Sequence, residues 1–472
     1  MDKTAIILLA AGLGKRLGFG LPKAAVCIEN KPIVLHMLGA VSKIKPDRII
    51  LVTGYKRELV EQIVRDGAQS EGCSLSDLSF AFQAEQLGTG HAVQSAMEVL
   101  GSFTGTVLIL YGDMPLIRHQ TLSALLEAHR RNKASLSFVS LISDRPNSYG
   151  RVIRDHSSGL VTKVVEARDC SPQELLINEF NAGIYAVNSA FLASAIKSLG
   201  RQNSQSEYYL TDIIAQAVKE GQTVVTYPLR DAEELQGVND LFDLTLVNKT
   251  LNARRVRELI LSGALVQDPG SLYLDPQVQV APGARIGPQV QLYGNTTIAS
   301  GAVIDGLSLL RDTTVEKNAH LKLGINAEKA VIGEDATVGP FANLREGTIL
   351  GPKTRIGNFV ETKKAVLGEG SKAPHLTYLG DCSVGQYTNI GAGTITCNYD
   401  GYKKHQTTIG NNVFIGSNSA LIAPLSIEDG AIVGAGSVIT KKVEKDSLAL
   451  TRAPQISTPG WARVRRERMA EK

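Results

Sequence analysis

The sequence predicts an α/β domain with a largely parallel sheet, followed by a parallel β-solenoid of triangular section. Two patterns predict it. Up to about Leu241, short apolar runs alternate with amphipathic ones, which is how strands and helices alternate in layered α/β domains. From Ile286 to Ile439 an aliphatic residue followed by Gly keeps returning six positions later, as at Ile286-Gly287, Ile356-Gly357, Ile390-Gly391 and Ile415-Gly416. This is neither the helical period of about 3.6 nor the strand period of about 2. It fits a chain that turns a corner after each short strand, so that three sides close one coil and each coil buries its aliphatics against the next. Between the halves, 241–262 has helical spacing and mixed charge, which divides the chain into 1–240, a connecting helix 241–262, and 263–472.

In the first half, Ala5–Ala10, Arg48–Thr53, Leu78–Gln83, Thr106–Tyr111 and Ser135–Leu141 read as buried strands. Helices are expected at Val34–Ser42, Lys56–Gly67, Gly90–Leu100 and Gln120–Asn132. Ligands of such sheets gather at the carboxyl ends of the strands. In the second half, small Gly, Ala and Ser residues are expected where corners crowd the backbone. The six-residue phase slips between Ile304 and Ile332 and near Leu367, and the segment Thr396–Thr408 interrupts it altogether. Insertions in a solenoid become surface loops, often on the binding face.

The 472 residues allow two or three domains, and a net charge of +4 with 20% charged residues lacks the basic excess of a nucleic-acid binder. Arg463, Arg465, Arg466 and Arg468 after Trp461 read as a solvated tail. Five cysteines without metal or redox spacing argue for a reducing compartment. The first apolar run, Ile6–Ala11, is too short for a signal peptide, and no stretch reaches membrane-spanning length. We therefore expect a cytoplasmic protein with no membrane partner.

The first strand runs into L-L-A-A-G-L-G-K-R-L, with Lys23 shortly after. Small residues there let backbone amides approach a phosphate, and the cations compensate its charge. Alone, a tight strand-to-helix turn would look the same, and the spacing is neither the dinucleotide nor the Walker pattern. Its company makes it specific: Q-A-E-Q-L-G-T-G-H-A from Gln83, Y-G-D-M-P-L from Tyr111, Y-G-R at Tyr149, V-V-E ending at Glu166, N-A-G at Asn181, E-Y-Y-L-T-D from Glu207 and G-V-N ending at Asn239. This series resembles the sugar-nucleotide pyrophosphorylases, and specifically the uridylyltransferase half of the bifunctional bacterial enzymes that make UDP-N-acetylglucosamine. The second half continues the likeness, with N-L-R at Arg345, V-E-T-K-K through Lys363, H-L-T-Y-L-G-D from His375, N-I-G-A-G-T-I-T-C-N-Y-D-G-Y-K-K from Asn389, G-S at Ser417, G-A-G at Ala435 and L-T-R at Arg452. These resemble the acetyltransferase half of the same enzymes.

The resemblance implies a Rossmann-like nucleotidyltransferase domain and a left-handed parallel β-helix. It implies a homotrimer with UTP, acetyl-CoA, glucosamine 1-phosphate and N-acetylglucosamine 1-phosphate as substrates, and Mg2+ held by Asp113 and Asn239. Arg16 and Lys23 would act on the triphosphate. Leu9, Ala10, Ala11, Gly12, Tyr111 and Gly112 would line the nucleotide site, with Gln83, Gly88 and Thr89 reading uracil and Gly150, Glu166 and Asn181 the hexosamine. In the other half, His375 would be the general base, a task that suits neutral imidazole near pH 7. Arg345, Lys363 and Lys404 would hold the sugar phosphate, Tyr378, Asn398 and Tyr399 the sugar, and Asn389 would orient the base or the donor. Acetyl-CoA would meet Ala392, Asn398, Tyr399, Ser417, Ala435 and Arg452. Three departures stand out: Lys15 where the family usually has Thr, Ala182 for a common Thr, and Pro374 before His375, which would stiffen that loop.

Other readings use the same residues: a uridylyltransferase with the solenoid as a scaffold, a closely related amino-sugar epimer as substrate, or a non-enzymatic regulatory subunit. His375 with the Asn398-Tyr399 loop argues against the first, and Lys23, Asp113 and Asn239 together argue against the last.

Overall fold

The apolar runs of the first half form a sheet whose strands stand in the order Val224–Pro228, Leu136–Ile142, Glu179–Asn188, Thr106–Tyr111, Thr4–Leu9, Arg48–Thr53, Leu78–Phe82. A computed structural model describes residues 3–144 and 149–470 of the chain. Helices cover both faces: Ile33–Ser42, Arg57–Gly67 and His119–Arg131 on one side, Thr89–Leu100 and Asp212–Lys219 on the other. Strand Thr4–Leu9 shows why its run is apolar without alternation. Ile6 and Leu8 enter one core and Ala5 and Ile7 the other, as in any strand covered on both faces.

Along this order the strands are parallel except at Glu179–Asn188, which runs antiparallel to both neighbours and carries an irregularity between Asn181 and Tyr185; off it, Arg151–Arg154 pairs antiparallel with Glu179–Asn188 and with Val161–Val165. Gly183, at φ 74°, lies in that irregularity, and a Cβ there would stand 2.1 Å from the Tyr111 ring. The bulge therefore lets an aromatic ring lie against the backbone at the end of the neighbouring strand.

The chain divides into two compact units, 1–251 and 252–472, with the boundary inside helix Leu241–Leu261. In the first unit Val247 packs with Leu17, Val26, Ile28 and Val238. In the second, Val256 joins the solenoid core, and Asn252 bonds the carbonyl of Leu272 and the amide of Leu274. No helix among the described residues is long and apolar enough to cross a membrane.

The second unit is a three-faced parallel β-helix. One ladder pairs Ile286 with Ile304, Ile304 with Leu321, Leu321 with Val338 and Val338 with Ile356; after Ile390 it resumes through Ile415 and Val433. All of these side chains belong to one core. The phase slip between Ile304 and Ile332 is not an insertion. Leu310, Val315, Leu321, Ala327 and Ile332 all point inward, so two sides of the coil are one residue short. Small residues crowd the coil as expected: Ala284, Ala302, Ala319, Ala336, Ala373 and Ser371 are fully buried. Left-handed backbone is shared between glycines such as Gly283, Gly301, Gly347, Gly370 and Gly430 and exposed non-glycine residues such as Gln289, Asn318, Asp335, Lys353 and Phe359. Other glycines follow the inward aliphatics, where the next rung crowds them: a Cβ on Gly357 would lie 1.7 Å from the Pro374 carbonyl oxygen.

Pro374 lies in strand Lys372–His375 and not in a loop. That strand pairs with Asn389–Ile390 only at Lys372, because proline has no N–H to carry the ladder further. The basic tail likewise forms a helix, Trp461–Ala470, exposed along its length and supported by local contacts of Arg465 over Trp461 and Arg463 with Glu467.

Candidate active sites

In the first unit, strands Thr4–Leu9 and Thr106–Tyr111 end side by side, and the segment after Leu9 folds back beneath them. Gly14 makes the return possible at φ 64°, since a Cβ there would stand 3.0 Å from the Leu21 oxygen and the Lys23 amide. The Lys23 amide then reaches the Gly12 carbonyl at 3.4 Å. The Lys23 side chain crosses to the far wall, pairing with the Asp113 carboxylate and donating to Asn239 Oδ1 at 2.9 Å. The Val238 amide bonds the Asp113 carbonyl at 3.1 Å, tying these two segments together.

A cleft of about 260 Å³ opens above this pair, walled by Leu9, Ala10, Ala11 and Gly12 on one side and by Tyr111, Gly112 and Asp113 on another. Lys23, Gln83, Gly88 and Thr89 complete it. Gln83 donates to the Gly88 carbonyl at 3.1 Å and touches His91 Nδ1 at 3.3 Å, so a residue in the first turn of helix Thr89–Leu100 also steadies the glutamine. Gly88, at φ 109°, permits the approach of Tyr208, whose carbonyl would be 2.6 Å from a Cβ there.

Gly150, Glu166 and Asn181 come together beyond Tyr111. The Asn181 amide bonds the Gly150 carbonyl at 2.8 Å, and the Glu166 carboxylate would be 3.5 Å from a Cβ on Gly150. Burial raises the pKa of Glu166 and lifts the Tyr111 phenol well above its usual value. Tyr149, whose hydroxyl donates to the Leu235 carbonyl at 2.9 Å, is pushed up to about 12 by burial. Arg16 stands exposed in the turn Lys15–Leu17, outside the cleft lining. The Lys15 side chain lies outside the described residues.

In the second unit the nominated residues fall on one face and one corner. On the face, Arg345, Lys363 and Lys404 converge: the pKa of Lys363 is lowered by contact with Lys404 and then by the charge of Arg345. Arg345 pairs with Glu361 at 2.7 Å. The interruption of the repeat is a hairpin in which Tyr399 bridges Lys404. Asp400 accepts from the amides of Lys403 and Tyr402 and faces His405 Nε2 at 2.7 Å, and these bonds hold its carboxyl well below the usual range. Asn398, at the hairpin base, bonds Asp381. Tyr378 opens the adjacent strand, opposite Ile395.

Around the corner, His375 stands exposed with Nδ1 2.9 Å from Asn358 Oδ1. Ala392, Ser417 and Ala435 follow on successive rungs: the Asn418 amide bonds the Ala392 carbonyl, the Gly436 amide bonds that of Ser417, and Arg452 reaches the Ala435 carbonyl at 2.8 Å. The result is a track of small residues running from His375 to Arg452. Asn389 pairs with Lys372, three positions before His375, so the bond to the imidazole comes from Asn358 and not from Asn389.

Residues 5–246 match the nucleotidyl transferase family and 406–441 the hexapeptide repeat of succinyl-transferase. The bifunctional protein GlmU of Pelobacter propionicus is 43% identical over 461 residues, covering 98% of each chain. That of Geotalea daltonii is 43% identical over 98% of this chain and 99% of its own, and that of Pseudomonas putida 42% over 97% and 98%. The chain belongs to the bifunctional GlmU family.

Several residues at the site carry no role in the sequence reading, although Gln86 and Glu207 lie within its motifs. Gln86, Ala24 and Glu207 line the cleft, Thr211 donates to Glu166 at 3.1 Å, and Tyr185 accepts from Asn181 at 2.7 Å. Thr211 sits inside a motif already singled out, E-Y-Y-L-T-D, and could have been found there. Asn358 meets His375 across 17 residues, one rung of the coil, and that offset is legible only once the short sides have been counted.

Proposed function

We infer that the chain is a bifunctional transferase of UDP-N-acetylglucosamine synthesis. Acetyl-CoA first acetylates the amine of glucosamine 1-phosphate. UTP then transfers its uridylyl group to N-acetylglucosamine 1-phosphate with release of pyrophosphate. The observation that carries this reading is the pairing, in a chain matched end to end by GlmU relatives, of an α/β cleft built on Lys23, Asp113 and Asn239 with an exposed His375 beside a three-cation cluster.

In the uridylyl step a phosphate oxygen of the sugar attacks the α-phosphorus of UTP as the bond to pyrophosphate breaks. The protein's work is positioning and charge compensation. Gln83, Gly88 and Thr89 hold the base, the segment from Leu9 to Gly12 approaches the phosphates, and Lys23 and Arg16 carry positive charge to them. Glu166 and Asn181, steadied by Thr211 and Tyr185, bind the amino sugar with Gly150. Asp113 and Asn239 offer hard oxygens suited to magnesium. Both oxygens already accept from the Lys23 ammonium, which supports a preference for positive charge at this point. Bound there, magnesium would neutralise the triphosphate and the leaving pyrophosphate.

In the acetyl step the sugar amine attacks the thioester carbonyl, His375 accepts the amine proton, and the CoA thiolate leaves. Arg345, Lys363 and Lys404 hold the sugar phosphate, and Tyr378, Asn398 and Tyr399 the sugar. The track Ala392, Ser417, Ala435 and Arg452 carries the CoA arm, with Asn389 on the donor side. Three chains complete these sites. In support, an exposed apolar ridge of Leu307, Phe341, Phe359 and Leu376 runs along the corner beside His375, with the two phenylalanine rings stacked at 6.0 Å. The compartment is the cytoplasm, in keeping with five free thiols and with UTP and acetyl-CoA as substrates.

Two assays on one preparation test the reading: free thiol from acetyl-CoA with glucosamine 1-phosphate, and pyrophosphate from UTP with N-acetylglucosamine 1-phosphate. Both products are expected. Pyrophosphate without thiol would reduce the solenoid to a scaffold, and neither product would leave a regulatory subunit.

A further inference from the structure

We propose that Asn358 is the positioning residue that sets the tautomer of His375, an inference that rests on His375 being the base of the acetyl step. Asn358 ends strand Arg355–Asn358, His375 ends strand Lys372–His375, and the two residues stand opposite one another in the parallel register. Gly357 and Pro374 bring the rungs into close approach, leaving no room for a Cβ at 357. Asn358 then grips the base from two sides. Its main-chain carbonyl accepts from the Leu376 amide at 3.0 Å, and its side-chain Oδ1 lies 2.9 Å from His375 Nδ1.

An amide oxygen can only accept, so the imidazole proton facing it resides on Nδ1. Nε2 is left with its lone pair, and since His375 is exposed, that lone pair faces outward to where a substrate amine can approach. The reverse tautomer would present an N–H to the amine and could accept nothing from it. An amide also differs from a carboxylate in carrying no charge, so it orients the ring without drawing a second proton onto it. A neutral imidazole of fixed tautomer is what a base near pH 7 needs.

The test uses the full chain. Asn358→Ala is expected to lower kcat of acetyl transfer by about tenfold to a hundredfold, the usual effect of losing a residue that orients a reacting imidazole. The KM values for both substrates should stay within about twofold and uridylyl transfer should be unchanged. Asn358→Asp, which keeps an acceptor at the same place but draws a second proton onto the ring, should recover most of the loss only at alkaline pH, with its pH–rate profile displaced upward. In solid-state 15N spectra of the histidine-labelled protein, with the His375 signals assigned by difference from His375→Gln, the wild type should be protonated at Nδ1 and Asn358→Ala should show a mixture.

An unchanged kcat in Asn358→Ala, or an Nε2-protonated ring in the wild type, would overturn the proposal. So would failure of Asn358→Asp to exceed Asn358→Ala at alkaline pH. His375→Gln separates this from the reading beneath it: if that variant keeps acetyl transfer, His375 is not the base, whereas if it is inactive while Asn358→Ala is not, only the role of Asn358 falls.

Discussion

Replacing Lys23 by Met should tighten metal binding at Asp113 and Asn239 while disabling uridylyl transfer. In the cleft the Lys23 ammonium holds both oxygens, one through an ion pair and one at 2.9 Å. A metal ion can enter only by displacing it. Charge-assisted hydrogen bonds contribute about 1.5–3 kcal/mol each. The side chains of Lys23 and Asp113 are 15% and 30% exposed, so solvent screening brings the pair to the low end. A net displacement cost of about 1–2 kcal/mol corresponds to roughly fivefold to thirtyfold in affinity. Manganese titration of the full chain without nucleotide, followed by electron paramagnetic resonance, measures this directly. The Met variant should bind the ion tighter by that factor, and adding UTP should narrow the difference, because the triphosphate draws Lys23 away in the wild type. Loss of the phosphate-binding cation should at the same time lower kcat/KM for UTP by about a hundredfold or more, with acetyl transfer unaffected. Equal or weaker manganese binding in the variant would refute the reasoning, since Lys23 would then be a helper of the metal and not its rival.

Four further outcomes are expected. Asp113→Ala should abolish pyrophosphate release and spare thiol release, and His375→Ala should do the reverse; equal loss of both in either variant would contradict two separate sites. Gly357→Ala should lower the unfolding temperature of the solenoid, at a cost of about 2 kcal/mol or more, because the new Cβ meets backbone and not a movable side chain; an unchanged calorimetric midpoint would count against that close approach. His129 is buried, 2.9 Å from Ser137, and burial followed by the Arg130 charge lowers its pKa to about 4. Unfolded, it takes its proton near the ordinary value of about 6.5, so its contribution is fully present above that value and is lost as pH falls towards 4, by about 3 kcal/mol in all. Urea titrations at both ends of that window should show the loss, and His129→Gln should flatten it. Phe359→Glu on the exposed ridge should shift sedimentation velocity from trimer to monomer and remove acetyl transfer while leaving the uridylyl step; a trimer that survives would place the contact elsewhere.

Local order was largely legible because it depends on near neighbours. Strands Arg48–Thr53 and Thr106–Tyr111 lie where the apolar runs predicted them, and the helices differ at their ends by a residue or so. The hairpin Thr396–Thr408 was visible as a break in a strict period. What failed was counting across distance. The slip before Ile332 looked like an insertion, although two short sides produce the same phase, and only the inward stacking of Val315 and Ile332 tells them apart. Tyr185 was missed for a similar reason: it acts by touching Asn181, and only the irregular strand brings its hydroxyl there, whereas Thr211 lay within a motif already in view.

The two architectures, the carboxyl-end cleft, the solenoid's inward ladder and the motifs that tie the chain to the GlmU family could all be read along the chain, because periodicity and motif order are linear properties. Packing in three dimensions, and nothing short of it, set Lys23 against the side-chain oxygens of Asp113 and Asn239, ran Glu179–Asn188 antiparallel in the sheet, and put Asn358 rather than Asn389 against His375. Those depend on strand register and on how closely one rung or strand passes another, and a difference of a single residue in register, invisible to any local pattern, changes which side chains meet.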